Sequence, residues 1–162
     1  MSDIIQTLVT DRTGADVLRW FELRNKGYAN MTAEERAEWD AGNMKGAYNA
    51  SDLNRVGAAL NYIRDRLVEI GYIRSTVYTA KSNWTAADIP TTAALSTLLS
   101  QVRTARDAFA VMSSTPRVPE NNGGLSHIDA NNIEKILADI DRLITNMLAA
   151  RPFCGELYSG EY

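Results

Sequence analysis

The chain is poor in the side chains that most often carry catalysis or metal binding. It has 162 residues but only one histidine and one cysteine. It contains no Glu-x-x-His pair of the kind that builds a metal site in a helical bundle, and no glycine-rich phosphate loop. The lone Cys154 cannot form an internal disulfide, so the fold must be stable by packing alone. We therefore expect no catalytic residue, no metal site and no cofactor.

Two further absences restrict the partners. No apolar run approaches the ~20 residues needed to cross a bilayer, and the first ten residues lack the basic start of an export signal. The chain has 17 Lys and Arg against 20 Asp and Glu, a net charge of −3, and its arginines are scattered among acids. Nucleic-acid binding needs a concentrated basic face. We expect no membrane insertion, no nucleic-acid partner, and production in the cytoplasm.

What the chain does have is helical periodicity. With 45% hydrophobic and 23% charged residues it suits a single domain over 1–162. The strongest pattern predicts a long helix over 48–72, with Asn49 or Ser51 as its N-cap and Gly71 at its end. Gly57 lies on the flank, where its missing side chain would let another backbone approach. Apolar residues three and four positions apart form the core seam of this helix: Leu53, Val56, Leu60, Ile63, Leu67 and Ile70.

Two more long helices are predicted, over 91–114 and 127–150. The first has Thr91 or Thr92 as cap, with Phe109 and Met112 continuing its apolar face, and the second opens at Ser126. The apolar stripe of the last helix is wide enough to contact two neighbours, which places it at the centre of a bundle. The expected fold is all-α, a bundle of three long helices.

The remaining segments are expected to pack around this bundle. Two short helices lie in 11–47, opened by Thr13 and by Thr32 with its capping partner Glu35. A long crossover follows between 72 and 90, with Trp84 as its anchor. The ends, residues 1–10 and 153–162, are interpreted as an extended arm and tail that dock on a partner. Candidate interaction residues are Trp84, Tyr78 and Tyr72 in the crossover, Ile4, Ile5 and Leu8 in the arm, and Phe153, Leu157 and Tyr158 in the tail.

Other polar groups could be catalytic or structural, and we favour the structural interpretation for them. His127 at a predicted helix start is taken as a cap-region residue, and Cys154 as an inert thiol. The acids at 34, 35, 38 and 40 suit a helix N-terminus, whereas Asp139 and Asp141 are two apart and point in different directions. Aromatic residues near helix ends usually fill the core, but they could instead line a sugar or peptide groove. These are Trp20, Trp39, Tyr48, Tyr62, Tyr72 and Trp84.

Several runs resemble a helical module of virion proteins from phages and prophages of Firmicutes. The longest is Lys45–Val56, and the others are Asp11–Thr13, Ala29–Glu35, Trp84-Thr85, Asp88–Pro90, Asn132–Leu137 and Tyr158–Glu161. The resemblance covers most of the chain. It implies a structural, tail-associated role in a virion, with no catalytic residue to transfer.

The sequence therefore predicts a structural or adaptor component of a phage or prophage virion, acting through other tail proteins and self-association. The leading alternative is a module that binds a host-surface glycan or protein through the aromatic crossover, and an enzyme is the weakest candidate. Assembly predicts that the 72–90 crossover is buried at a subunit contact. Recognition predicts that it is exposed around an open groove.

Overall fold

The structure is a computed structural model that describes residues 3–74, 77–121 and 123–150. Within these ranges the chain is all-helical and contains no strand, as the sequence predicts. Helices α1 to α6 run over the following ranges, with a 3-10 turn at Tyr28–Asn30: Asp3–Gln6, Gly14–Lys26, Ala33–Asp40, Ala50–Glu69, Thr92–Asp107 and His127–Ala149.

Side-chain caps set most of the helix starts. Thr13, Thr32, Asn49 and Ser126 each form a reciprocal capping box with the acid three residues later, and Thr91 caps α5 by accepting from the backbone of Ala94. Gly71 follows α4 with a φ of 79°, the left-handed conformation that glycine tolerates at a helix end. These caps are local features of the sequence, and they were predicted from it.

Helices α4, α5 and α6 contact one another pairwise and surround the core. Seam residues Leu53, Val56, Leu60, Ile63 and Leu67 are buried, and Ile70 is half-buried beyond the end of α4. α6 contributes a further row of fully buried residues, Ile133, Ile136, Leu137, Ile140 and Ile144. It packs against both of the other long helices.

All three long helices run in the same direction. At one end of these helices, Asn54 in the first turns of α4 bonds Trp84, and Asn121 bonds the start of α5 at Thr92. At the other end the rings of Tyr72 and Phe109, which follow α4 and α5, lie 4.4 Å apart. Each connection between these helices must therefore return along their length, which explains why both connections are long.

The first connection packs along α4 as a strap, defined here as residues 78–84. Side chains on one face of α4 bind the backbone of the strap. Asn61 accepts from the N–H of Ala80 and donates to the carbonyl of the same residue, both at 2.9 Å. Asn54 makes the same two bonds with Trp84, at 2.6 and 2.8 Å. Between them a Cβ on Gly57 would lie 2.1 Å from the carbonyl oxygen of Lys81. Gly57 thus permits the close backbone approach expected from the sequence.

The structure describes residues 3–10 of the predicted extended arm, and there the prediction is wrong. Asp3–Gln6 is helical, Ile5 is buried in the core, and Ile4 and Leu8 pack against it. The backbone N–H of Val9 donates to Glu134 of α6 at 2.6 Å. Ile4 and Ile5 lie in α1, and Leu8 follows it, with its N–H donating to the carbonyl of Ile5 at 3.3 Å. The three aliphatic residues therefore pack within the monomer.

The predicted end of the long helix over 91–114 also needs correction. α5 ends at Asp107 and not at 114, although Phe109 and Met112 continue the apolar spacing. A turn in which the N–H of Thr115 donates to Met112 follows, and the Arg106 side chain donates to the carbonyl of Pro116 at 2.9 Å. These bonds fold the chain back over α5 before the helix could continue.

Candidate ligand-binding cleft

All three tryptophans of the chain line one open cleft of about 540 Å³ near the start of α4. Trp20 comes from α2, Trp39 from α3, and Trp84 from the end of the strap. The rest of the lining comes from the segment before α4, the first turn of α4 and the loop after the strap: Gly42, Met44, Ala47, Tyr48, Asn49, Ala50, Ser51, Leu53, Thr85, Ala86, Asp88 and Pro90.

Helices α2 and α3 place the first two tryptophans. Arg19 of α2 holds Glu38 of α3 through a 2.7 Å ion pair, and Lys26 holds Glu35 at 2.6 Å. The segment before α4 lies so close to α2 that a Cβ on Gly46 would be 2.0 Å from the carbonyl oxygen of Asp16. A residue other than glycine at 46 would push that wall of the cleft away from α2.

Trp84 is fixed through its backbone and its ring. Both backbone bonds go to Asn54, and the Nζ of Lys81 lies 3.8 Å from the ring centroid, a geometry in which a cation is attracted by the aromatic face. The carboxylate of Asp88 accepts from the N–H and hydroxyl of Thr85 and holds Lys81 at 3.4 Å. The hydrogen bond from the Thr85 backbone, with that from its hydroxyl, keeps the pKa of Asp88 below its usual value.

A buried cluster of charges, the ion quartet, lies near the base of the cleft and consists of Arg12, Asp52, Arg55 and Glu134. Arg12 donates to Asp52 at 2.8 Å and to Glu134 at 2.7 Å, and Arg55 also bonds both acids. Glu134 is completely buried. Two cations and two anions balance, so each buried charge of the quartet has a partner of opposite sign.

Tyr48 connects the quartet to the cleft. Its ring lines the cleft, and the Arg12 guanidinium lies 5.4 Å from the ring centroid. Its hydroxyl is buried and has no hydrogen-bond partner among the described residues. Burial, with the nearby carboxylates of Glu134 and Asp52, raises the pKa of Tyr48 well above its ordinary value. Tyr48 is therefore a neutral, apolar part of the cleft.

Most polar side chains of the lining are already hydrogen-bonded. Asn49 accepts from Ser51 and Asp52 and donates to the carbonyl of Gly42, and the Ser51 hydroxyl donates to Asn49. The Thr85 hydroxyl donates to Asp88. What remains for a ligand is chiefly aromatic and aliphatic surface, which favours large apolar groups.

Among the described residues, the cleft lining contains no histidine, cysteine or lysine, and Asp88 is its one carboxylate. Within the described ranges no group of three or more His, Cys, Asp and Glu side chains is arranged to hold a metal ion. No described helix combines the length and hydrophobicity of a membrane span.

The structure separates the candidate interaction residues. Trp84 lies in the cleft, together with Trp20, Trp39 and Tyr48, whereas Tyr78 is buried in the core and Tyr72 stacks on Phe109 at the opposite end. Tyr78 is thus not available to a partner, because it is buried and its hydroxyl donates to the carbonyl of Leu60 in α4. Phe153, Leu157 and Tyr158 lie outside the described residues, as does Cys154.

The acids have structural contacts. Asp139 bonds Thr115 and Lys135, and Asp141 binds Arg66 of α4. The two side chains therefore point to different neighbours, as their spacing predicts. His127 is the first residue of α6 and does not line the cleft.

Sequence reasoning missed the residues that hold the site together. Asn54 and Asn61 are seven apart, on one face of α4 with Gly57 between them, a pattern that could have indicated an extended segment packed along the helix. Arg12, Asp52, Arg55 and Glu134 gave no such signal. Members of the quartet that bond each other are up to 122 residues apart in the chain.

Comparisons with protein-family models, with curated proteins and with solved structures found no match for this chain.

Proposed function

We propose that the chain is a structural or adaptor component of a phage or prophage virion, tail-associated and acting through protein–protein assembly without catalysis. The observation that carries this proposal is the cleft, where three tryptophans from three separate elements converge on one opening. Tryptophans in a partly enclosed apolar site are the side chains that most often dominate protein–protein binding energy. In this proposal a partner protein inserts one or two large apolar side chains between them.

The hydrogen bonding of the cleft supports a protein guest over a sugar. A glycan needs free donors and acceptors beside an aromatic platform, whereas Asn49, Ser51 and Thr85 already use their side chains for caps and turns. An aromatic or aliphatic anchor needs no such groups. It gains mainly by covering apolar surface, at roughly 25 cal/mol per Å².

The scaffold in this proposal is a bundle of three long helices, α4 to α6, with α2 and α3 packed at one end. The cleft is formed where short and long helices meet, so its walls are held by caps, ion pairs and the strap. Such a pre-formed site loses little conformational entropy on binding.

The virion part of the proposal rests on the resemblance. Three of the runs that carry it, Lys45–Val56, Trp84-Thr85 and Asp88–Pro90, contain ten of the lining residues: Ala47, Tyr48, Asn49, Ala50, Ser51, Leu53, Trp84, Thr85, Asp88 and Pro90. The part of the chain that most resembles virion modules is thus also the part that forms the cleft. The protein would be made in the bacterial cytoplasm and incorporated into the particle.

The binding test uses the full-length protein against random short peptides and, in parallel, against bacterial surface oligosaccharides. Selected peptides should contain aromatic or large aliphatic anchors, and Trp84→Ala should weaken their binding by at least about tenfold. Tyr28→Ala is the matched control, because Tyr28 is an aromatic residue that is 49% exposed and lies outside the cleft lining. Circular dichroism of each variant checks that the fold is retained.

The same tryptophans provide an optical signal. Because all three line the cleft, intrinsic tryptophan emission reports on that site alone. A bound apolar side chain should shift the emission to the blue. No shift with any selected peptide would contradict a protein guest in the cleft.

The assembly test detects the chain in purified particles. Antibodies against the protein should find it in phage particles banded on a density gradient after prophage induction, and Trp84→Ala should reduce its incorporation. A chain that remains entirely in the soluble fraction would contradict a virion role.

One observation favours the second candidate, recognition of a host-surface molecule. The loop after the strap is exposed at the rim of the cleft, and Ile89 is 84% exposed. Recognition would appear in the same screen as oligosaccharide binding that Trp84→Ala abolishes and that peptides do not compete.

A further inference from the structure

Residues 13–40 form a helical hairpin, α2 and α3 with the 3-10 turn between them, that lies outside the core of the bundle. Leu23 and Met31 are buried in it, but neither belongs to the core that the long helices share with α1 and the strap. Trp20 and Trp39 are half-buried, and they are not packed against that core either. Among the described residues, no buried or half-buried apolar side chain of the helical hairpin is therefore part of the bundle core.

The polar contacts of the helical hairpin are internal as well. Its ion pairs join α2 to α3, Arg19 to Glu38 at 2.7 Å and Lys26 to Glu35 at 2.6 Å. Within the part of the chain that the structure describes, no hydrogen bond or ion pair joins a residue of 13–40 to α4, α5 or α6. The helical hairpin is thus braced within itself and has no polar bond to the long helices.

Two chain connections and one close backbone contact join the helical hairpin to the bundle. On the first connection, the backbone N–H and carbonyl of Arg12 bond the same side chain of α6, at 3.0 and 2.8 Å. On the second, Gly42 has a φ of 63°, and its carbonyl accepts from Asn49 at the start of α4. Gly46 lies against the carbonyl of Asp16 in the first turn of α2. These joins involve backbone in place of packed apolar side chains, which is the construction of a hinge.

The cleft lies between the helical hairpin and the bundle. Trp20 and Trp39 line it from the helical hairpin, whereas Trp84 and Leu53 line it from the strap and α4. A large apolar group in the cleft contacts both sides only when they are close together. Its binding therefore favours a closed arrangement over an open one, because the closed arrangement alone offers both sets of contacts.

We propose that the helical hairpin pivots as a rigid body about its two connections and closes the cleft on its guest. This inference rests on the proposed function and describes how the same site is regulated. Val17 lies beside the Gly46 contact, at the pivot. At Lys26, roughly 14 Å further along α2, a rotation of about 20° moves the backbone by about 5 Å.

Distances between pairs of spin labels, measured by electron paramagnetic resonance in the full-length chain, test this movement. The background variant is Cys154→Ser, which removes the one cysteine of the chain. Labels at Ala37→Cys and Ser100→Cys join the helical hairpin to α5, and both positions are exposed. Two control pairs, also at exposed positions, lie within one body: Asn25→Cys with Ala37→Cys in the helical hairpin, and Glu69→Cys with Ser100→Cys in the bundle.

In the free protein the distance distribution of the pair that spans the hinge should be broader than that of either control pair. The probe for closure is the peptide that binds most tightly in the selection described above. When it is bound, the distribution of the spanning pair should become narrower and its mean should shift by about 5 Å, the displacement expected for the far end of α2. Both control pairs should stay unchanged.

A glycine substitution tests the pivot without a guest. A Cβ on Gly46 would lie 2.0 Å from the carbonyl oxygen of Asp16, so Gly46→Ala should displace α2 and change the distance between the labels at 37 and 100. Gly14→Ala is the matched control, because Gly14 lies in α2 itself and a Cβ there would meet no atom within 4 Å. Circular dichroism checks that both variants are folded.

Three results would overturn the inference. The spanning pair could be as narrowly distributed as the controls in the free protein, or Gly46→Ala could leave its distance unchanged. Peptide binding could also shift tryptophan emission without changing that distance, in which case the proposed function stands and the hinge is wrong. If no peptide binds, the proposed function fails and closure on a guest fails with it, whereas the free protein still shows whether the helical hairpin pivots.

Discussion

Replacing Glu134 by glutamine tests whether the ion quartet fixes the N-terminal segment to the bundle. Glu134 is completely buried on α6 and accepts hydrogen bonds from three other residues. Oε2 accepts from the N–H of Val9 at 2.6 Å and from Arg55 at 3.0 Å, and Oε1 accepts from Arg12 at 2.7 Å and from Arg55 at 3.0 Å. Glutamine has nearly the same shape, so the change removes charge and one acceptor without leaving a cavity.

The expected loss follows from these bonds. Whichever oxygen becomes the amide nitrogen, two donors then face a donor, and bonds to charged groups contribute about 1.5–3 kcal/mol each. The substitution also leaves two buried arginines with one carboxylate, and breaking a buried pair costs about 3–5 kcal/mol. The lost bonds give about 3–6 kcal/mol and the broken pair about 3–5 kcal/mol. We therefore expect the free energy of unfolding to fall by about 3–5 kcal/mol, a large share of the stability of an ordinary domain.

Urea denaturation followed by far-ultraviolet circular dichroism measures this loss. Glu69→Gln is the control, because it makes the same chemical change at an exposed position in the last turn of α4, and it should lie within about 0.5 kcal/mol of wild type. If Glu134→Gln is equally mild, the quartet does not hold the N-terminal segment, and the account of that segment given above is wrong.

Three other changes test separate features of the fold. Gly57→Ala should destabilise the protein by about 1–2 kcal/mol in urea unfolding, because the new Cβ would lie 2.1 Å from a strap carbonyl oxygen. This loss should outweigh the better helix propensity of alanine. A gain in stability would mean that the strap moves freely. Ile5→Ala should cost about 2–4 kcal/mol, because Ile5 is 4% exposed, and Ile89→Ala, 84% exposed, should be almost neutral in the same assay. Burial raises the pKa of Tyr78 to about 12. The contribution of this side chain to folding stability is therefore complete below about pH 10 and is lost as the pH rises towards 12. Over that window the thermal midpoint of the wild type should fall more than that of Tyr78→Phe.

The features that could be predicted from sequence are those set by neighbouring residues. The capping boxes at Thr13, Thr32 and Ser126 involve side chains three positions from their partners, and the seam of α4 follows from helical periodicity alone. The all-helical class follows from the same patterns. The end of α5 was predicted too far along the chain, because apolar spacing persists through Phe109 after the backbone has turned.

The cleft itself depends on contacts that no local pattern encodes. Trp20 and Trp84 are separated by 64 positions, and they meet only because the strap returns along α4 to the end where α2 is packed. The sequence allowed an aromatic groove as one of two interpretations of these residues. The sequence could not show which aromatic residues line the cleft. Tyr62 and Tyr72 are also aromatic residues near helix ends, yet they do not line it. The N-terminal helix was missed because four residues give too short a pattern.

Tyr48 and Tyr78 provide a last test, because their hydroxyls differ in hydrogen bonding. The hydroxyl of Tyr78 donates to the carbonyl of Leu60 at 3.2 Å, whereas that of Tyr48 is buried with no partner within the described residues. An unsatisfied buried hydroxyl costs about 1–3 kcal/mol, and a buried hydrogen bond contributes about 1. Tyr48→Phe should therefore be neutral or stabilise the protein, while Tyr78→Phe should destabilise it by about 1 kcal/mol in urea unfolding.

The cleft should respond to Tyr48 only through the ring. Tyr48→Phe keeps the aromatic surface between the ion quartet and the tryptophans, so peptide binding measured by tryptophan emission should match the wild type. Tyr48→Ala removes that surface and opens the cleft towards Arg12, whose guanidinium lies against the ring, so the same peptides should bind at least about tenfold more weakly. A loss of binding in Tyr48→Phe would instead mean that the hydroxyl takes part in recognition, and that the base of the cleft is polar when a guest is bound.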